Sequence, residues 1–237
     1  MRQVKNSSTG NRLLDSLPAK ELKAFLAASS EVELDLGHEV REIGRRIQHA
    51  YLPIDCVISI TARMKNGTEV EVGAVGREGM LGTRLLLRAD DALNGSYCSI
   101  AGLARRIGVQ SFRRLAVQGS HLREGALDYS RALAGTVGQL SGCNRFHQPV
   151  EHWASWLLLT RARTGRDTFE MTHALMGRVL GISRPPATLA AAALQRTGAI
   201  RYTRGRLTIL NRKKLEAASC ECYRRITAEF KKLYDGA

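Results

Sequence analysis

At 237 residues and 44% apolar side chains, the chain can bury two separate cores, so two domains are expected rather than one. A formal charge of +14 points to a polyanionic partner, with an anionic membrane surface or a merely solvated basic face as alternatives. The charge is uneven: residues 1–149 carry 20 Lys and Arg against 15 Asp and Glu, whereas residues 150–237 carry 16 against 7. The basic excess therefore concentrates in the C-terminal part. No apolar run approaches the ~18 residues of a membrane span, and the first residues, MRQVKNSSTGNRLLDSL, lack the apolar core of a secretion signal. Five scattered cysteines are an odd count, which suits a reduced, cytoplasmic location better than a disulfide framework.

Residues 1–10 are polar and are expected to be disordered. Leu13, Leu14, Leu17, Leu22, Phe25 and Leu26 recur at helical spacing, predicting a helical segment over 12–28 with Pro18 at a break or a first turn. Between 31 and 110 the texture becomes β. Residues 31–37 and 70–75 alternate, 51–61 are β-rich, and Asn66-Gly67 supplies the positive φ angles of a tight hairpin. Short strands separated by turns predict a sandwich, roll or barrel. Glu69 and Glu71 share a strand face and read as solvated carboxylates. Residues 110–142 return to helical spacing, and Ala126, Leu133, Val137 and Leu140 form a seam suited to a partner helix or to the chain's own β domain. Pro149 suits the first turn of another helix, 150–164, with Trp153, Trp156, Leu157 and Leu158 inward.

The stretch 172–195 reads as two short helices joined by a tight turn, with Gly177 where the helices touch and Gly181 at the turn. Thr172 can cap the first helix, and Ile182 fills the core at the turn. Alanines at 187, 190, 191 and 193, with Leu194, give the second helix a slim inner face. Its outward positions are Ser183, Arg184, Thr188, Leu189 and Ala192. A residue before proline avoids helical angles, so the pair Pro185-Pro186 predicts a helix starting at Pro186, with Arg184 held on the turn. Gly198 ends the helix as a left-handed cap, and residues 200–210 read as two strands about Arg204-Gly205. That hairpin is a wing. Arg184 can pair with guanine or a phosphate, Thr188 can meet a base edge, Leu189 a thymine methyl, and Arg201, Arg204 and Arg206 phosphates.

The order of β region, long helix and winged helix-turn-helix over roughly 12–225 resembles a CRP/FNR-type transcription regulator of an atypical subgroup. Residues 172–184, THALMGRVLGISR, are similar to that family's helix-turn-helix opening. Residues 51–60, YLPIDCVISI, resemble its roll strand, and 75–82, VGREGMLG, its glycine-rich turn. The resemblance implies an α+β chain with a jelly-roll-like β-roll sensor at 12–119, a dimerisation helix at 120–145 and a winged helix-turn-helix at 148–237. It implies a cytoplasmic homodimer that binds a two-fold symmetric operator in double-stranded DNA and regulates transcription, with RNA polymerase and a small-molecule effector as further partners. Thr172 and Arg178 join the residues named above as DNA contacts. Gly76, Glu78 and Gly79 partly match the pair that holds a ribose in cyclic-nucleotide-binding members, and with Asn94 and Ser96 they form the expected effector pocket. The stretch 92–97 contains no arginine to neutralise a cyclic phosphate, so cAMP is not expected. No cysteine precedes Cys56 to hold an iron–sulfur cluster, and the six histidines are read as structural or exposed rather than as haem ligands.

No cofactor, no metal and no catalytic residue is expected. Phosphate-loop, nucleophile-elbow and HExxH motifs are all missing, and the glycines at 73, 76 and 79 are too loose for a dinucleotide fingerprint. Cys220 and Cys222, placed in a predicted helix over 212–234, would point to different faces, which suits packing better than zinc or a disulfide. The alternative function is a ligand-binding module that regulates a partner protein and carries a degenerate DNA head.

Overall fold

The computed structural model describes residues 8–235. The expectation for residues 1–7 lies outside them. Two short helices, α1 (Arg12–Asp15) and α2 (Ala19–Ala28), lead into seven strands. These are β1 (Ser29–Leu34), β2 (Glu39–Arg41), β3 (His49–Pro53), β4 (Val57–Arg63), β5 (Glu69–Val75), β6 (Gly95–Ile100) and β7 (Gly102–Gly108). They form two antiparallel sheets, ordered β1-β7-β3 and β2-β6-β4-β5. Leu34, Ala50 and Leu52 from one sheet and Ile58, Val75 and Cys98 from the other meet in one core. The hairpin at 64–68 forms as the sequence predicts, but only Gly67 takes a positive φ there, so Asn66 does not supply a second one.

The predicted helix over 110–142 is two helices. α3 (Val109–Leu115) closes the roll, and after a turn α4 (His121–Phe146) runs for 26 residues. Ser120 starts α4 by accepting from the Arg123 N–H. Of the two readings of the seam, the inward one holds for most of it: Ala126, Leu133 and Leu140 are buried against the chain's own roll and its last helix. Such a helix has only one wide apolar face, and here the roll takes it.

α5 (Pro149–Thr164) begins with proline at its first position behind a reciprocal cap of Gln148 and Glu151. Its face carries the stacked rings of Trp153 and Trp156, 5.0 Å apart. They seed a second core with Met176, Val179, Ala187, Leu194, Leu207 and Leu215. Val57, Ala74, Tyr97 and Ile100 of the roll join this core, so β6 is buried along its whole length. The sequence does not announce strand β8 (Thr168–Glu170), which pairs with the later wing. At the C-terminus, α8 (Arg212–Ala218) and α9 (Glu221–Asp235) replace the single helix expected over 212–234. The break at Ser219-Cys220 frees the two cysteines from helical spacing.

Glu71 shows how the two cores meet. Its place on the hairpin predicts a solvated carboxylate, yet it is 4% exposed, donated to by Ser59 Oγ and by Trp156 Nε1 at 3.0 Å. Burial pushes its carboxyl up to about 7 despite these hydrogen bonds and nearby Arg163. Because the folded value lies above that of the unfolded chain, the contribution to stability is complete below about pH 4.5 and is lost as pH rises through 7. Glu71→Gln keeps both hydrogen bonds without a charge. We expect it to match the native chain at pH 4 and to exceed it by up to about 3 kcal/mol at pH 8 in urea denaturation. An equal difference at both pH values would remove the buried carboxyl as the cause.

Candidate nucleic-acid interface

The helix-turn-helix is α6 (His173–Leu180) followed by α7 (Arg184–Arg196). Thr172 caps α6, its hydroxyl accepting from Leu175 N–H at 3.1 Å. That bond occupies the hydroxyl expected to meet DNA, although the residue stays exposed. Gly177 is required by packing, since a Cβ there would stand 2.8 Å from the Ile182 carbonyl oxygen. Gly181 closes α6 in the left-handed conformation at φ 65°.

The start of α7 differs from the sequence expectation. Arg184 is the first helical residue and Ser183 is the N-cap, with the prolines in the first turn. N–H groups in a first turn have no helical partner, so proline there forfeits no bond, and this outweighs the bias of a residue preceding proline. One consequence concerns Ser183. An N-cap hydroxyl normally accepts from the second or third helical N–H. Here both positions are prolines, so Ser183 makes no capping bond and its hydroxyl faces outward.

Along α7, Ala187, Ala190, Ala191 and Leu194 are buried, whereas Arg184, Thr188 and Leu189 face solvent, Leu189 at 69% exposure. Thr188 Oγ1 donates back to the Arg184 carbonyl at 3.0 Å, leaving its lone pairs outward. The helix ends with Ala199 N–H bonded to Leu194 O and Gly198 N–H to Gln195 O, so the cap is Thr197 and the left-handed residue after it is Gly198.

The wing follows as β9 (Ile200–Thr203) and β10 (Arg206–Ile209), with Arg204 (φ 50°) and Gly205 (φ 75°) making the two-residue turn. The three-stranded sheet runs β8-β10-β9. Gln195 Oε1 accepts from Tyr202 N–H at 2.6 Å, which ties the wing to α7. Burial pushes the Tyr202 phenol up, and the neighbouring Arg184 guanidinium draws it down. Arg184, Arg201, Arg204 and Arg206 are all exposed.

Arg178 departs from expectation. Its guanidinium pairs with Glu69 and lies 3.7 Å from the centre of the Tyr97 ring, both in the roll. It holds α6 against β5 rather than standing free for phosphate. Burial works against the Glu69 carboxylate, but Arg178, Thr61 and Arg63 hold its pKa below the usual range.

The expected effector residues also part company. Glu78 is buried and accepts from Arg163 Nε at 2.9 Å and from Gly76 N–H at 3.2 Å. A Cβ on Gly76 would collide with the Arg163 stem at 2.5 Å, and one on Gly79 with the Tyr129 ring at 2.0 Å. These three residues thus form the joint between roll, α5 and α4. Asn94 and Ser96 instead line a cavity of about 440 Å³ between the roll and α4, together with Arg41, Arg84, Leu133 and Val137. The two arginines come from outside the 92–97 stretch, so this cavity does have cations at its wall. Among the described residues, no helix is long and apolar enough to cross a membrane.

Comparison with known proteins agrees with this geometry. The sequence profile described as the Crp-like helix-turn-helix domain matches residues 151–218. No curated protein matches the chain. Among solved structures, a CRP-family transcriptional regulator from Thermus thermophilus is 14% identical, with a TM-score of 0.64 over 79% of this chain and 96% of that one. FixK2 from Bradyrhizobium japonicum is 13% identical, with a TM-score of 0.62 over 81% of this chain and 98% of that one. The c-di-GMP-responsive regulator CLP from Xanthomonas campestris is 15% identical, with a TM-score of 0.55 over 82% and 100%. With a β-roll, a long helix and a winged helix-turn-helix in this order, the chain has the fold of a CRP/FNR-type regulator and carries a Crp-like helix-turn-helix domain at 151–218.

Proposed function

We propose that this chain is a sequence-specific DNA-binding transcription regulator that acts as a homodimer, its roll responding to a small molecule other than cAMP. The observation that carries the reading is the set of exposed arginines at the start of α7 and on the wing that Gln195 ties to that helix. Arg184 and the three wing arginines have no carboxylate partner among the described residues, whereas Arg163 and Arg178 are spent inside the chain. Unpaired cations beside an open helix N-terminus suit phosphate and base contacts.

The finer parts rest on separate features. For the dimer, α4 keeps an outward strip of Ala134, Gly135 and Gly138, where a second helix can approach closely. Against cAMP stands Glu78, the carboxylate expected to hold a ribose, which is committed to Arg163 and does not line the cavity under α4. The domains are proposed at 12–119, 120–145 and 148–237, the protein as cytoplasmic and without catalytic activity, and RNA polymerase as a further partner. Capture of genomic fragments by the purified chain tests the whole reading. We expect enrichment of one two-fold symmetric site with half-sites about one helical turn apart, roughly 34 Å, and steep loss of binding with salt. Recovery of fragments without a shared motif would leave the protein-regulating module as the better account.

A further inference from the structure

Four side chains that play no part in the DNA-facing surface converge at the base of the winged-helix domain. Cys143 lies in the last turn of α4 and His147 caps its end, placing both on one side of the helix. Cys220 immediately precedes α9 and Cys222 lies in its first turn. One sulfur or nitrogen from each of the four residues falls within 4.8 Å of all the others. Cys143 Sγ and Cys220 Sγ are 3.6 Å apart, and Cys222 Sγ is 3.5 Å from His147 Nδ1.

These distances match the edges of a tetrahedron. Zinc–sulfur bonds of about 2.3 Å and zinc–nitrogen bonds of about 2.0–2.1 Å put sulfurs about 3.8 Å apart and sulfur and nitrogen about 3.6 Å apart. An iron–sulfur cluster spreads its thiolates across several metal and sulfide ions, so a grouping this tight suits one ion. We propose that Cys143, His147, Cys220 and Cys222 bind a single structural Zn²⁺ ion.

The surroundings are those of a metal site rather than of packed thiols. Glu221 Oε2 stands 3.1 Å from His147 Nε2, which fixes the ring and leaves Nδ1 with its lone pair toward the sulfurs. Gln139 Nε2 donates to Cys222 Sγ at 3.1 Å, and Ser155 Oγ lies 3.1 Å from Cys220 Sγ. Three of the four ligands are buried. Binding replaces three S–H protons with metal–sulfur bonds, releasing the protons to solvent, and involves no oxidant. The ion closes the segment between 147 and 220, which contains the whole Crp-like domain at 151–218. It therefore clips both ends of that domain to the end of α4 and fixes the angle at which α7 is presented.

Metal analysis of the full-length chain, purified reduced and dialysed, tests this. We expect one zinc per chain, released when a mercurial titrates the thiols. Cobalt substitution should give the intense absorption of a tetrahedral thiolate site. Cys222→Ser and His147→Ala should lower or abolish retained zinc, while Cys98→Ser, a buried cysteine of the roll, should keep it. Should these variants not fold, the native chain still decides the matter. A chain that takes up neither zinc nor cobalt with its thiols reduced would overturn the proposal. So would iron with acid-labile sulfide, or a Cys143–Cys220 disulfide in peptide mapping.

Discussion

Replacing Arg163 with methionine should destabilise the chain by about 3–5 kcal/mol, the usual consequence of leaving a buried charge without its partner. Arg163 and Glu78 are 6% and 8% exposed at their side chains and 2.9 Å apart. The guanidinium stem lies on Gly76; Arg163 Nε and the Gly76 N–H both meet Glu78 Oε1, and Oε2 has no hydrogen-bond partner. Without Arg163 the carboxylate must either stay charged in an apolar joint or take a proton, and both cost free energy. Thermal unfolding should fall by roughly 6–20 °C at this chain length. Adding Glu78→Gln removes the stranded charge and should recover most of the loss, because a buried ion pair contributes little beyond a well-packed neutral one. If the double variant is no more stable than Arg163→Met, weaker packing against Gly76 rather than charge is responsible.

The parts of this fold that follow local rules were legible in the residues. Gly181 and Gly198 stop helices, Thr172 and Pro149 start them, and Arg204-Gly205 turns the wing, each through backbone chemistry confined to a few positions. The inward tryptophans of α5 and the alanine face of α7 were legible for the same reason, since helical periodicity is local. What stayed hidden depends on which element packs against which. Glu69 and Glu71 look solvated on a hairpin, and only the arrival of α5 and α6 against β5 buries them. Arg178 resembles a phosphate contact until Glu69 faces it.

Local rules also misled where two of them competed. The residue-before-proline bias placed Arg184 outside α7, whereas a first helical turn tolerates proline because its N–H groups are unused. Helical spacing sets Cys220 and Cys222 on different faces, whereas a single break at Ser219-Cys220 changes their geometry. The signal that was available is a pair of short motifs: Cys-x₃-His at 143–147 and Cys-x-Cys at 220–222, 77 residues apart between Cys143 and Cys220. Neither is diagnostic alone. The effector residues are separated for a related reason: Glu78 and Ser96 belong to the same roll, but Arg163 of α5 takes Glu78, whereas Ser96 lines the cavity beside α4.

Arg184→Ala should cause the largest loss of DNA binding of any single change. The first residues of a recognition helix reach base edges, and Arg184 is the first of α7. Its prolines at 185 and 186 fix the backbone and remove two N–H groups, so Arg184 and the uncapped Ser183 hydroxyl carry the polar chemistry of that tip. A bidentate arginine contact discriminates bases by about 1–3 kcal/mol. In a two-fold symmetric dimer it occurs twice, giving about 2–6 kcal/mol, or roughly 30-fold to more than 10⁴-fold in affinity for the preferred site. Binding to unrelated DNA should change far less. Arg204→Ala and Arg206→Ala should behave oppositely, weakening all sequences alike and lowering the salt slope by about 1 for each phosphate no longer neutralised. Titrations of the captured site and a scrambled site at several salt concentrations separate the two patterns. If Arg184→Ala weakens both sites equally, the residue clamps a phosphate, and sequence discrimination must then reside in Ser183, Thr188 and Leu189.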